Sequence, residues 1–294
     1  MIAKVENDTS LLFKGYSRIA CILVACFAIL WSNLAAGAEP QVPNYIDPRE
    51  RISAPDISDR ARIRFLTTVD FPPFNFLDQS QKLAGFNVDL ARAICEILGV
   101  VDKCQIQALP WSELDSALLN GQGEALIAGV AKTPESQAKY TFSRSYLELP
   151  ARFVVSKNAA LGSDVAAELK DKRVGVISGT AHEAMLRSWF PEFRAVPFSQ
   201  WNWAHQSLRD GKIEGIFGDG VQLSFWLQSP ASKGCCSFHG GPYLSPVFLG
   251  EGLAIAVRPD DRELVEAFDN ALSQLNRNGR FAELYLRWFP GGLY

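Results

Sequence analysis

Compact apolar runs alternate with helically spaced apolar positions along most of this chain. Residues 62–68 form an apolar run that reads as a buried strand. Val88, Ala91, Ile94, Cys95 and Leu98 then recur at helical spacing, and Gly99 stops them. Residues 104–109 return as a strand. Ser112 is placed to cap a helix through Leu118, and residues 125–130 form the next strand. This β-α-β-α-β order predicts parallel pairing with right-handed crossovers.

A second set begins with strands at 153–156 and 173–177 and a helix reaching Phe190. A strand at 195–198, a helix near 203–209 and a strand at 215–217 complete it. Residues 252–257 are strongly apolar and read as a strand. Asp260 and Glu263 make a capping-box-like start to a helix ending near Asn276, and a last helix spans about 281–288 before Pro290-Gly291-Gly292. The pattern predicts two α/β units, the second inserted within the first.

The N-terminus breaks this pattern. Lys4, Lys14 and Arg18 precede an apolar run over residues 19–31, and Ala36-Gly37-Ala38 follows. We read residues 1–38 as a signal peptide cleaved after Ala38. An uncleaved membrane anchor is one alternative, although the run is short for a span. Lipidation at Cys26 is another, since Leu23-Val24-Ala25-Cys26 resembles a lipobox, but the apolar residues after Cys26 oppose it. Residues 39–61, rich in Pro, Asp and Arg with no apolar period, read as a flexible leader.

The 294 residues are 48% apolar with net charge -3, which suits a packed core and excludes a multi-span membrane protein and a broad basic surface for nucleic acid. Export places Cys95, Cys104, Cys235 and Cys236 in an oxidising compartment. Three pairings are possible. Cys95 with Cys104 is favoured, closing a short loop worth roughly 2–3 kcal/mol. Cys235 and Cys236 are then a vicinal disulfide or free thiols.

The candidate chemistry follows the strands, where open α/β folds bind ligands. Asp70-Phe71-Pro72-Pro73-Phe74-Asn75-Phe76 exposes rings after the first strand, and Gly85-Phe86-Asn87-Val88-Asp89 opens a helix. Trp111 follows the second strand. Ala128-Gly129-Val130-Ala131-Lys132-Thr133-Pro134-Glu135-Ser136 follows the third. Ser178-Gly179-Thr180-Ala181-His182-Glu183 joins a strand to a helix N-terminus, where backbone N–H groups favour an anion or a carbonyl. Asp219 ends the 215–217 strand region and also fits a helix N-cap. His182 has no metal partner at ligand spacing and reads as a surface residue. The loop 234–243 has no chemistry to assign. No Ser-His-Asp order, zinc spacing or phosphate loop appears, and no metal or cofactor is expected.

In order and spacing these motifs resemble the family 3 extracytoplasmic solute-binding proteins, the receptors of polar amino-acid importers, over about residues 62–289. The resemblance implies a two-lobed type 2 periplasmic binding fold, each lobe a mainly parallel sheet flanked by helices, with two hinge crossings. Residues 62–151 and 253–294 would form lobe 1, and residues 152–252 lobe 2. It implies a monomeric periplasmic receptor, not an enzyme, that closes on a small solute and meets an inner-membrane ABC permease.

The same resemblance implies site roles. Phe71 and Trp111 would form an aromatic clamp, with Phe74 and Phe76 in the core. Gly129 would expose backbone to solute, Thr180 and Ala181 would lie at a helix start facing it, and Asp219 would take an ammonium group. The family pattern there, A-G-x-T-x-T-x-E-R, ends in an arginine that grips the solute's α-carboxylate. Ser136 stands at that position, and Ala131 replaces the ligand-facing threonine. Lys132 alternates away from the cleft. The expected solute is therefore small and polar or cationic. One alternative is an accessory binding protein beside a periplasmic quinoprotein dehydrogenase; a more remote one is a cyclohexadienyl dehydratase-like enzyme.

Overall fold

The computed structural model describes residues 41–45, 47, 49–130, 132–159, 162 and 164–294. Residues 1–38, read above as a signal peptide, the Cys26 alternative within them, and Ala131 lie outside the described residues.

Thirteen short strands are described. In the first half of the chain they are β1 (Ile63–Thr67), β2 (Asp70–Phe71), β3 (Asn75–Leu77), β4 (Leu83–Ala84), β5 (Cys104–Ala108), β6 (Ala125–Leu126) and β7 (Thr141–Phe142). The rest are β8 (Ala151–Ser156), β9 (Arg173–Ile177), β10 (Arg194–Phe198), β11 (Gly215–Asp219), β12 (Cys236–Tyr243) and β13 (Ala256–Val257). Two five-stranded sheets result, ordered β5-β1-β6-β13-β7 and β10-β9-β11-β8-β12, with a small β2-β3-β4 sheet beside the first.

In the first sheet β1 pairs parallel with β5 and β6, as the β-α-β order requires, while the returning β13 runs antiparallel to β6 and β7. In the second sheet β9 pairs parallel with β10 and β11, and β8 is antiparallel to β11 and β12. The first sheet is therefore built from both ends of the described chain and the second from its middle.

Alternation along the strands gives each sheet a core on both faces. Phe65 packs with Phe86, Phe268 and Phe281, while its neighbour Leu66 faces Leu114, Leu118 and Ala256 on the other side. Phe153 and Phe217 lie on one face of the second sheet, and Val154 and Ile216 on the other. The helix Phe86–Ile97 begins at Gly85, whose φ is +130°; a Cβ there would stand 2.2 Å from the Phe74 carbonyl oxygen. Only glycine allows that turn to meet the helix so closely.

Several expectations change on this scaffold. The helix after β5 is Trp111–Leu119 and starts after Pro110, so Ser112 lies inside it and supplies no cap. The helix Arg262–Arg277 has Asp261 at its N-cap without a side-chain cap, because Arg60 takes the Asp261 carboxylate at 2.7 and 2.8 Å and reaches Glu263 at 3.0 Å. Those pairs also correct the flexible leader. Where residues 41–61 are described they carry no helix or strand, yet Ile57 is buried, Val42 and Ile52 pack on the first core, and Glu50 pairs with Arg144. The loop 234–243 is largely strand β12, with its ladder shifted between His239 and Tyr243 around Gly240-Gly241. Both disulfides are formed, Cys95–Cys104 and Cys235–Cys236.

Candidate functional site

The carboxyl ends of β1 and β5 carry the aromatic candidates. Phe71 is half-buried and stacks on the buried Phe74, with centroids 4.7 Å apart. Its ring covers Gly129, where a Cβ would lie 2.6 Å from Cε1 and where φ is +81°. Gly129 is thus required by the ring as well as by its own backbone. Phe76 is half-buried against Trp288. Trp111 is 56% exposed. Its indole is shared between a cavity of about 270 Å³, walled by Thr68, Val69, Asp70 and Leu109, and one of about 440 Å³, walled by Asp115, Thr133, Ser136 and Tyr140. Phe71 and Gly129 are therefore in contact, and Trp111 and Ser136 share one cavity wall.

The segment after β6 is closed on itself. Thr133 caps the short helix Pro134–Gln137: its Oγ1 accepts the Ser136 N–H at 3.2 Å, and the Ser136 Oγ accepts the Thr133 N–H at 2.9 Å. Lys132 pairs with Glu251 at 3.1 Å. Both neighbours that might have offered positive charge or donors here are engaged within the protein.

The second sheet presents the opposite situation. Thr180 caps the helix Ala181–Trp189, accepting the Glu183 N–H at 3.2 Å and donating to the Ile177 carbonyl at 2.7 Å. Glu183 reaches back to the Gly179 N–H at 2.8 Å. The Ala181 and His182 N–H groups remain as first-turn donors of this helix end. Asp219 ends β11, pairs in register with Ala151, and caps the helix Gly220–Gln228 by accepting the Gln222 N–H at 2.8 Å. Burial pushes the Asp219 carboxyl up from its ordinary range, against the opposing pull of that hydrogen bond and of His182. His182 is correspondingly lowered by burial, opposed by the Asp219 charge.

His182 is thus not a surface residue. It is half-buried, with its ring 6.4 Å from Phe217. Its place as the second residue of a helix that follows shortly after a strand end was the available signal. Arg152, on β8, was also missed; it is the only charged residue in the apolar run Ala151–Ser156 and is buried. Among the described residues no group of three His, Cys, Asp or Glu side chains could hold a metal ion.

Two α/β lobes with candidate residues at their strand ends define a two-lobed binding protein of the periplasmic type. The chain belongs to the bacterial extracellular solute-binding proteins, family 3, whose profile matches residues 63–291. It is 30% identical to ABC transporter arginine-binding protein 1 of Escherichia coli over 229 residues, which is 78% of this chain and 91% of that one. An ancestral cationic amino-acid solute-binding protein of known structure is 26% identical, with TM-score 0.61 over 78% of this chain and 96% of the other. The second substrate-binding domain of a putative amino-acid ABC transporter from Streptococcus pneumoniae is likewise 26% identical, with TM-score 0.66 over 78% and 100%.

Proposed function

We propose that this chain is a periplasmic receptor that binds a small cationic solute between its lobes, 62–151 with 253–294 and 152–252, and delivers it to an inner-membrane ABC permease. Asp219 carries this reading. A half-buried carboxylate at a strand end with no cationic side chain bonded to it is stabilised by an incoming ammonium or guanidinium group. Phe71 and Trp111 supply ring faces for the rest of the solute, and a cation over a ring gains further. Thr180, Ala181 and His182 form the helix start beside Asp219.

The Thr133–Ser136 capping pair supports the second half of the proposal. Ser136 has no charge, and Lys132 is neutralised by Glu251, so a solute carboxylate meets no guanidinium fork from this segment. The solute class is then an amine, polyamine or basic amino acid whose recognition rests on its cation. The named relatives that bind arginine are consistent with this class. Contacts from both lobes to one solute stabilise the closed form, and that closure is what a permease reads.

Melting the protein against a panel of amines, polyamines, and basic, neutral and acidic amino acids tests the proposal. Cationic members are expected to raise the melting temperature by several degrees at concentrations well above Kd. A panel in which none does, or in which acidic solutes do so best, overturns it.

A further inference from the structure

The leader is tied to the helix Arg262–Arg277 at two points. Its Ile52 carbonyl accepts from Nδ2 of Asn270 at 3.2 Å, and its Glu50 carbonyl accepts from Nη2 of Arg277 at 3.1 Å. A cavity of about 390 Å³ adjoins both ties. Arg49 and Arg51 wall it from the leader, and Asn270, Ser273, Gln274 and Arg277 wall it from the helix. None of these residues belongs to the proposed solute site.

The wall is strongly one-sided in charge. Among the described residues its one carboxylate is that of Glu50, and Arg144 holds both oxygens of that group. Asp47 accepts the Arg49 N–H at 2.9 Å and does not line the cavity. The Arg49 and Arg51 side chains make no hydrogen bond or ion pair among the described residues, and Arg277 makes only its bond to the Glu50 carbonyl. Ser273 faces the same cavity from within the helix. It is 2% exposed, and its Oγ is buried without a hydrogen-bond partner. A helical serine can return its proton to the carbonyl four residues earlier, and this one does not. A buried hydroxyl left unpaired costs stability, and an acceptor seated in the cavity removes that cost.

We propose that this cavity is a second binding site, for a phosphate group that is free or carried on a small molecule or a lipid head group. Planar guanidinium forks meet a tetrahedral oxyanion with paired N–H donors, and the serine hydroxyl adds a donor from the helix side. Donors come from two elements, and an anion with three or four acceptor oxygens can meet both, where a carboxylate offers two. Ile52 is the one apolar residue on the wall among the described residues, so nothing there holds an acyl chain, and a lipid would be read by its head group alone. A phosphate held by Arg51 and Arg277 ties the leader to lobe 1 more firmly. The proposal is independent of what the solute site binds.

Equilibrium dialysis of the full protein against radiolabelled inorganic phosphate, without solute, tests the site. One phosphate per chain is expected to bind saturably. Arg51→Gln removes no bond within the protein and is expected to weaken binding about tenfold, the usual weight of a charge-assisted hydrogen bond. Ser273→Ala is expected to weaken it by about the same factor. Without phosphate, Ser273→Ala should leave the melting temperature unchanged or higher, because an unpaired hydroxyl has gone. Sedimentation with phosphatidylglycerol–phosphatidylcholine vesicles separates the two sources. Vesicle binding that Ser273→Ala weakens assigns the site to a head group; saturable dialysis without vesicle binding assigns it to a free or small-molecule phosphate. No saturable binding in either arm, or binding that either folded variant leaves unchanged, overturns the proposal. Arg51→Gln, at an exposed position, keeps the test decisive if Ser273→Ala does not fold. Because no solute is present, these results stand apart from the melting panel.

Discussion

The two loops that face the proposed cleft differ in what they leave available. In lobe 1, Thr133 and Ser136 satisfy one another and Lys132 is held by Glu251. In lobe 2, Thr180 and Glu183 close a similar helix start, yet Asp219 keeps a half-buried carboxyl whose partners are the Gln222 and Val221 backbone N–H groups and the nearby His182. On the proposed reading, the same capping chemistry therefore yields a neutral wall in one lobe and a carboxylate with no cationic side chain bonded to it in the other. A helix start can be complete as a fold element and still differ wholly as a binding element, depending on one residue outside the cap.

Removing the negative wall is the largest expected effect. Asp219→Asn keeps a side chain able to cap the helix Gly220–Gln228 but removes the charge. It is predicted to weaken cationic solutes by about 2–5 kcal/mol, read by calorimetry, with little change in melting temperature. The pH dependence has a definite sign. A cation requires the ionised carboxylate, and burial raises the pH at which that form is lost, so affinity falls as pH falls through the raised pKa. Protonation of His182 on acidification reinforces the loss, and Asp219→Asn removes the carboxylate part of it.

Adding charge to the neutral wall tests the other side of the comparison. Ser136→Arg is predicted to improve binding of α-carboxylate solutes over their decarboxylated counterparts by about 2 kcal/mol. The Ser136 Oγ acceptor for the Thr133 N–H is lost while Thr133 still accepts the N–H of residue 136, and stability falls by at most about 1 kcal/mol in a denaturant titration.

Asp269 provides an internal control. It lies on the helix Arg262–Arg277, accepts the Arg144 N–H at 2.7 Å, and burial pushes its carboxyl from 3.8 up to about 6. Because the folded pKa is the higher one, its contribution to stability is most favourable below the unfolded pKa and is lost as pH rises through about 6. Asp269→Asn should remove on the order of 1–2 kcal/mol of that pH-dependent difference and leave solute affinity unchanged. A matching affinity change would mean that the pH profile reports Asp269 and not Asp219. The smallest effect is expected from Thr133→Ala, which loses a cap worth about 1 kcal/mol of stability and alters binding only through the lobe 1 wall.

Much of the scaffold was legible from spacing alone. The strand Arg173–Ile177 and the helices Phe86–Ile97 and Arg280–Trp288 follow periods set by their own buried faces. Cap choices were less legible. Asp261 and Glu263 look like helix-start residues, and Arg60, some two hundred residues earlier, takes both carboxylates. Strand β12 was hidden because Gly240-Gly241-Pro242 reads as a loop, while its pairing partner β8 lies about eighty residues away. In the site, Ser136 was legible as an absence of charge. His182 and Arg152 were not, because their burial comes from Phe217, Asp219 and Leu293, which local sequence does not bring near.

The central claim is that recognition rests on the solute's cation and not on its carboxylate. Parallel calorimetric titrations with L-arginine and with its decarboxylated analogue agmatine test it most directly. The account predicts that agmatine binds at least as tightly as arginine. Arginine binding tenfold or more tighter than agmatine would contradict it.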